Sequence, residues 1–234
     1  MQKSISRLPS ITILSLLLAA FACGSADGRN NPNTEKPSTT LDAAEEIHLL
    51  FMRAEEKLAH DVYVYFGERW PDVSVFRNIV DSETNHQSAM LDKLEQYGLD
   101  DPNADDAAGE FAEDNYGDYF TAKYNALTNL TDEENELRTA LKNGALIEEL
   151  DMHDIVKCPV IIVDTEDFIQ SEEECGMEYT DEKALLNSYE NLLEGSKNHL
   201  RAFVRVLEAT FPDEYPYQAQ YLSQDEVDEI LGRQ

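Results

Sequence analysis

Ser82-Glu83-Thr84-Asn85-His86 sets a carboxylate and an imidazole three residues apart in the sequence. Two residues at this spacing on a helix share one face, so Glu83 and His86 are predicted to point the same way. The flanking apolar residues recur at three- and four-residue steps, the period of a helix with one buried side. They are Phe76, Ile79, Met90 and Leu94. The segment is therefore predicted to be a core helix with two polar side chains on its buried face.

Three other segments have the same helical period, and each also carries a polar side chain on its apolar stripe. The four predicted long helices cover about residues 41–66, 73–97, 131–156 and 181–211. The polar positions on their stripes are Glu56, Glu83 with His86, Glu148, and His199. Burial of a carboxylate without a partner is costly, so these positions are candidate functional residues. Glu55 is an alternative to Glu56, because it lies on a second apolar line of the first helix.

The segments between the first three long helices predict how these helices connect. A short link at residues 70–72 makes the first two helices antiparallel neighbours. The acidic stretch 99–118 suits a long crossover, and residues 119–130 are predicted to form a shorter helix. Thr131-Asp132-Glu133-Glu134 has the form of a capping box, which places the start of the third long helix near Thr131.

The predicted fold class is all-α, a four-helix bundle with a long crossover, a loop insertion before the last main helix and a short C-terminal helix. Pro159 ends the third long helix, and an irregular acidic stretch follows it to about Tyr179. This stretch contains the β-branched run Val160-Ile161-Ile162-Val163. Residues 223–231 form the predicted C-terminal helix.

The N-terminal residues have the pattern of an export signal. Lys3 and Arg7 precede an apolar run from Ile11 to Ala22, which is too short to span a bilayer. Cys23 follows this run at the position of the lipidated cysteine in bacterial lipoproteins, which this segment resembles. Ordinary secretion and a short membrane anchor are the alternatives.

These features divide the chain into three predicted parts. They are a signal peptide over residues 1–22, a solvated tether over residues 23–40 and a folded domain over residues 41–234. The expected location is the bacterial cell envelope, on its periplasmic or cell-surface side. The protein is expected to contact the membrane through the lipid on Cys23.

Charge and cysteine content narrow the classes of partner and compartment. The formal net charge of −30 argues against nucleic acid as a partner. Cys158 and Cys175 remain after Cys23 is assigned to lipidation, and in an exported chain they are predicted to form a disulfide. Two unrelated thiols are the alternative.

The polar stripe residues are close to the donor set of di-iron carboxylate bundles, in which two helices give a Glu and two give Glu-x-x-His. The fourth helix departs from this set, because Ser196 stands three residues before His199. A nearby acid is expected to substitute, or water to complete the site. Asp151, Glu149, Glu190 and Glu194 are the candidates, and the sequence does not rank them.

Four blocks of the chain, taken together, are similar to the ferritin-like family catalogued as domain of unknown function 2202 (DUF2202). The blocks are residues 54–63, 82–86, 144–151 and 195–203. This resemblance implies a ferritin-like four-helix bundle with a dinuclear metal site, and it implies little about the substrate. Glu56, seven residues before Tyr63, also resembles the first helix of rubrerythrins, which favours Glu56 over Glu55 as a ligand. The stretch 158–179 is longer than is usual for the family and is interpreted as a surface insertion, with an effect on site access as the alternative.

Taken together, these residues predict an exported protein with two bound metal ions. Iron is the favoured metal, and manganese or zinc are alternatives. Glu83 and Glu148 are expected to bridge the ions, Glu56 to bind as a terminal carboxylate, and His86 and His199 to bind one ion each. The expected chemistry is oxidation of ferrous ions or reaction with oxygen or peroxide. A non-catalytic metal-binding or sensing module and a structural bundle without metal are the alternatives.

Four further side chains near the predicted stripes have weaker signals. His48, His60 and His153 lie among polar neighbours and are predicted to be on the surface. Tyr63 is expected to orient a ligand or donate an electron, or simply to be a core tyrosine with a bonded hydroxyl. The sequence does not indicate the oligomeric state.

Overall fold

The computed structural model describes residues 40–103, 107–131 and 135–233. These ranges contain seven α-helices and no β-strand, so the predicted all-α class is confirmed. The helices are α1 (Ala43–Arg69), α2 (Ser74–Tyr97), α3 (Asp118–Thr128), α4 (Glu136–Val156), α5 (Val160–Thr165), α6 (Lys183–Thr210) and α7 (Gln224–Ile230). The predicted signal peptide, Cys23 and the tether up to residue 39 lie outside the described residues. Within the described ranges, no helix combines the length and apolar character needed to cross a membrane.

The four long helices α1, α2, α4 and α6 occupy the segments predicted from the apolar period. Asp42 caps α1 and forms a capping box with Glu45, which satisfies backbone N–H groups of the first turn. Gly98 ends α2 in the left-handed conformation with φ 76°, which glycine adopts without steric cost. The start of α4 differs from the prediction, since Thr131 is not helical and the helix begins at Glu136. Residues 132–134 of the predicted capping box lie outside the described residues.

Each long helix packs against two antiparallel neighbours. The closest pairs are α1 with α2 and α4 with α6, and the pairs α2 with α6 and α1 with α4 complete the arrangement. The direction of α6 against α4 follows from two contacts, in which Gly144 faces Phe203 while Asp151 faces Ser196. A Cβ atom at residue 144 would lie 2.6 Å from the Phe203 ring, so glycine permits this close approach. The polar stripe positions of all four helices therefore lie at one level.

The insertion between α4 and α6 is more regular than predicted, because Val160–Thr165 forms the short helix α5. Pro159 precedes its first residue, where a fixed φ favours a helical start, and its carbonyl accepts from Ile162 N at 2.9 Å. Ile162 is buried and anchors α5 against the core. A disulfide between Cys158 and Cys175 closes the insertion.

The insertion packs at the start of α1. Tyr179 donates a hydrogen bond to the Asp42 carboxylate at 2.7 Å, and Thr180 donates one to Glu45. Glu56 lies 11 residues after Glu45, about 16 Å further along the helix at the usual rise per residue. These contacts support the interpretation of the stretch as a surface insertion.

Candidate metal centre

Five buried side chains from the four long helices meet at the level of the stripe positions. They are Glu56 on α1, Glu83 and His86 on α2, Glu148 on α4 and His199 on α6. Their ligand atoms form two groups, Glu56 with Glu83 and His86, and Glu83 with Glu148 and His199. Within each group the ligand atoms lie within 4.8 Å of one another. Glu83 belongs to both groups, whereas Glu148 belongs to one.

The two oxygens of Glu83 face two different imidazoles. Oε1 lies 2.8 Å from His199 Nδ1, and Oε2 lies 3.3 Å from His86 Nδ1. His86 Nδ1 is also 3.2 Å from Glu56 Oε2, and His199 Nδ1 is 3.4 Å from Glu148 Oε2. The imidazole rings are stacked, with centroids 5.4 Å apart and planes inclined by 28°. Each imidazole therefore presents Nδ1 to two carboxylates.

Two polar atoms around this space lack a hydrogen-bond partner although they are buried. They are Glu56 Oε1 and Asp151 Oδ1. Buried polar atoms in folded proteins are nearly always paired, so orphaned atoms that converge on one space indicate a missing partner. A cation would supply that partner, and oxygen and imidazole donors together suit iron, manganese or zinc. The donor set is therefore compatible with the predicted metal pair.

The buried basic residues of α1 do not neutralise this acidic space. Arg53 donates to Asp101 at 2.8 Å, and Lys57 donates to Asp61 at 2.6 Å. Lys57 also donates to the Ala107 carbonyl at 3.0 Å, which directs its ammonium group toward the crossover. The carboxylates of the candidate centre are therefore compensated by imidazoles, by protons or by a bound cation.

Of the four acids suggested as a replacement for the missing glutamate of the fourth helix, Asp151 lies beside the centre. The Ser196 hydroxyl donates to its Oδ2, so an aspartate on α4 contacts the α6 position at which a glutamate was expected. Glu149 points elsewhere, since Tyr217 OH and three successive backbone N–H groups from Gln220 to Leu222 donate to it. The acids on α6, Glu190 and Glu194, are exposed. Asp151 is outside both three-ligand groups and adjoins them.

Tyr63 fixes the orientation of Glu148. Its hydroxyl donates to Glu148 Oε1 at 2.5 Å and lies 3.3 Å from the Gly144 carbonyl. The Tyr63 ring is fully buried against Phe203, with centroids 5.1 Å apart. With Oε1 held in this way, Glu148 presents Oε2 to His199.

Electrostatics at the centre differ among the carboxyl groups. Burial raises the pKa of Glu56 to about 8, although contact with His86 acts in the opposite direction. Burial would also raise the pKa of Glu83, but its hydrogen bonds to His199 and His86 outweigh it and lower the pKa to about 2. Burial raises the pKa of Glu148 and raises that of Asp151 far more.

The same contacts hold protons on both imidazoles. Burial disfavours a charged imidazole, yet Glu56 and Glu83 raise the pKa of His86 to about 12. Burial likewise opposes the charged form of His199, whose pKa Glu148 and Glu83 raise to about 10. Without a metal ion, both imidazoles therefore remain protonated at neutral pH, with their protons between the nitrogen and carboxylate oxygen atoms.

The surface prediction for His48 is wrong. Its side chain is fully buried, with Nδ1 2.8 Å from Tyr189 OH and Nε2 2.8 Å from the Asp154 carbonyl. Burial lowers the pKa of His48 to about 4. Other parts of the chain cover α1 on several sides, so His48 is buried although it lies off the main apolar stripe. The apolar period alone does not indicate this burial. His60 and His153 are partly exposed and contact Asp61 and Asp154.

Glycine at residue 195 gives His86 its position. A Cβ atom there would overlap Nε2 of His86 and lie 2.6 Å from its Cε1 atom. The Cε1–Nε2 edge of the imidazole therefore rests directly on the α6 backbone. Sequence reasoning missed this role, because Gly195 adjoins Ser196 in the chain and carries no donor atom of its own.

The chain was compared with protein families, curated proteins and solved structures. The model of the family described as an uncharacterized protein domain (DUF2202) matches residues 45–174 and 161–234. The uncharacterized protein MJ0754 of Methanocaldococcus jannaschii is 35% identical over 196 residues, which cover 84% of this chain and 91% of that protein. The crystal structure of hypothetical protein MJ0754 from Methanococcus jannaschii superposes with a TM-score of 0.67 at 34% identity, covering 85% of this chain and 97% of the other.

The protonation of the centre predicts how stability depends on pH. Glu56, His86 and His199 have folded-state pKa values near 8, 12 and 10, above their ordinary values of 4.5, 6.5 and 6.5. Between pH 6.5 and 8 the folded metal-free protein therefore holds more protons than the unfolded chain, so its stability falls as pH rises. His48 acts oppositely, but below pH 6.5, because its pKa is lowered to about 4.

Melting temperatures of metal-free protein at several pH values between 6.5 and 8 test this expectation. The melting temperature should fall with rising pH, and the fall should shrink after metal is added, because a cation replaces the bound protons. A melting temperature that rises with pH in the metal-free protein would contradict the arrangement described.

Gly195→Ala should weaken metal binding without loss of helical structure. The added methyl group displaces the His86 ring, and displacement of a ligand's support typically costs about 10- to 100-fold in metal affinity. Titration with cobalt or zinc gives the affinity, and far-ultraviolet circular dichroism gives the helicity. Asn187→Ala, an exposed position on the same helix, is the control and should bind as the wild type does. Unchanged metal affinity in Gly195→Ala would show that Gly195 does not position His86 for metal binding.

Proposed function

This chain belongs to the DUF2202 family, and we propose that it is an exported ferritin-like protein that binds two metal ions, iron in the native state. The observation that carries the proposal is the position of Glu83, whose two oxygens face His86 and His199. Glu56 and Glu148 complete one group each. A carboxylate shared by two three-ligand groups is the arrangement needed to hold two ions side by side.

The antiparallel packing of α1, α2, α4 and α6 supports the ferritin-like part of the proposal. In such bundles, metal sites are built from inward-facing side chains on all four helices. Here each long helix contributes at least one buried donor, and His199 is the donor from α6. Ser196 leaves that helix without a carboxylate at the centre, where Asp151 on α4 accepts a hydrogen bond from the serine.

Each side chain has a definite task in the proposed chemistry. Iron ions bound here would exchange electrons with dioxygen or hydrogen peroxide. Tyr63 holds Glu148 so that Oε2 remains directed at the centre, and Gly195 lets His86 present Nδ1 to the same space. Asp151 places a further carboxyl group beside these side chains, and a bound cation would favour its charged form.

The enclosure of the centre favours very small substrates. Glu56, Glu83 and Glu148 are at most 2% exposed, and the two imidazoles are at most 9% exposed. None of the five donor side chains lines the described cavities of about 410, 400 and 280 Å³. Metal ions, dioxygen and peroxide therefore suit this centre better than an organic substrate does.

The same enclosure favours a second candidate function, which is metal binding or sensing without turnover. A centre with so little access can hold ions as a stable structural element. In that case the protein would still bind two ions, and ferrous ions would be oxidised at most once per site. The N-terminal residues, with their resemblance to a lipoprotein signal, support a role at the cell envelope for either candidate.

Metal content tests the proposed centre. Protein purified without a histidine tag and loaded with ferrous ions should contain about two equivalents of iron by elemental analysis. The double variant Glu83→Ala, His86→Ala should lose both ions, because Glu83 serves both groups, and should remain helical. Glu190→Gln, which changes an exposed acid on α6, is the control. Less than about one tenth of an equivalent in the wild type, or wild-type content in the double variant, would end the assignment.

Oxygen consumption separates the two candidate functions. An oxidase should convert many ferrous ions per chain under air, with loss of this activity in the double variant. A binding or sensing module should stop after the bound ions have reacted. Absorbance of ferric products and an oxygen electrode measure both quantities in one reaction.

A further inference from the structure

A second set of buried carboxylates lies beside the candidate centre. It comprises Glu55 on α1 and Asp154 on α4, with Asp151 also on α4. Their exposures are 7%, 4% and 5%. The carboxyl groups of Glu55 and Asp154 interact electrostatically, and Glu55 Oε2 has no hydrogen-bond partner, as is also the case for Asp151 Oδ1. Both oxygen atoms are therefore available to a ligand such as a cation.

Glu55 lines a cavity and directly precedes a residue of the candidate centre in the chain. The cavity has a volume of about 280 Å³, and its walls come from α1, α3 and α4 and include Tyr119 and Lys123. Ala126, another wall residue, is exposed, so the cavity reaches the surface. The next residue in the chain, Glu56, belongs to the candidate centre. Adjacent residues of α1 therefore belong to the cavity wall and to the candidate centre.

Asp151 links the two sets of acids electrostatically. Its carboxyl group interacts electrostatically with Glu55 on one side and with Glu56, Glu148 and Glu83 on the other. Lys123 compensates part of the charge of Asp154, and His153 contacts that carboxylate at 2.7 Å. Glu55 and Asp151 have no comparable basic contact among the described hydrogen bonds and ion pairs.

The second set is suited to brief rather than permanent binding. Among the described residues, the groups with three ligand atoms within 4.8 Å of one another are the two at the candidate centre. The Glu55 set does not meet that spacing, so an ion there would keep part of its water. A carboxylate in a largely apolar wall nevertheless lowers the cost of moving a cation past residues such as Leu58 and Leu146.

We propose that Glu55 and Asp151 form a loading station through which divalent metal ions pass from the α1–α3–α4 cavity to the centre. This inference rests on the proposed function, because it requires a metal centre to be filled. The station takes hydrated divalent cations, and it affects the rate of filling rather than the final occupancy. Entry and exit use the same route, so loss of the station slows both equally and leaves affinity unchanged.

Rates of cobalt loading in the full chain test the proposal. Metal-free protein is mixed with Co²⁺ in a stopped-flow instrument, and loading is followed by visible absorption. Release is followed after addition of excess chelator. Glu55→Gln removes the charge with little change in shape, and Ala126→Phe narrows the cavity without changing any carboxylate. Asp118→Asn, an exposed acid at the start of α3, is the control for net charge.

Loading and release should both slow at least about tenfold in Glu55→Gln and in Ala126→Phe, with stoichiometry and affinity as in the wild type. Loading at the wild-type rate in either variant would contradict the proposed route. A lower number of bound ions in Glu55→Gln would also contradict it, because Glu55 would then be a ligand of the centre. Slowing in Asp118→Asn would also overturn it, by showing a general charge effect. A wild-type protein that takes up no cobalt overturns the proposed function and this inference together, whereas normal wild-type uptake with unchanged variants overturns the loading station alone.

Discussion

The structure depends on the burial of acidic side chains between four helices with few basic groups facing them. Glu56, Glu83, Glu148 and Asp151 are each at most 5% exposed, and the basic groups in contact with them are His86 and His199. Removing a carboxylate from water costs several kcal/mol unless a partner compensates for it. Glu83 gains two imidazole partners, whereas Glu56 and Asp151 keep orphaned oxygens. Proposed metal binding would relieve this cost, so the ions would contribute to folding as well as to chemistry.

Packing of the helices brings these side chains together at one level of the bundle. α1 meets α4 through Tyr63 and the Gly144 carbonyl, and α4 meets α6 through Gly144 and Phe203. α6 meets α2 where His86 rests on Gly195. Two glycines and one tyrosine thus set the level at which the donors meet. Their roles explain why residues without a metal-binding atom matter to the centre.

The sequence predicted the helical class, the approximate bounds of the long helices and the five polar side chains that meet between them, because apolar residues at helical spacing report burial directly. The model of the DUF2202 family matches as the four sequence blocks suggested. Other features depend on tertiary packing and were not accessible in this way. The apolar period did not indicate that α1 is enclosed on several sides, so His48 was placed on the surface. Nor could spacing show that Glu149 turns toward residues 217–222 while Asp151 faces Ser196.

Anomalous X-ray scattering from crystals of the iron-loaded protein is the most direct test of the shared carboxylate. Data collected at the iron absorption edge should show two peaks about 4 Å apart or closer. One peak should adjoin Glu56, Glu83 and His86, and the other should adjoin Glu83, Glu148 and His199. Peaks located elsewhere, or no peak between the four helices in protein shown to contain iron, would contradict the role assigned to Glu83.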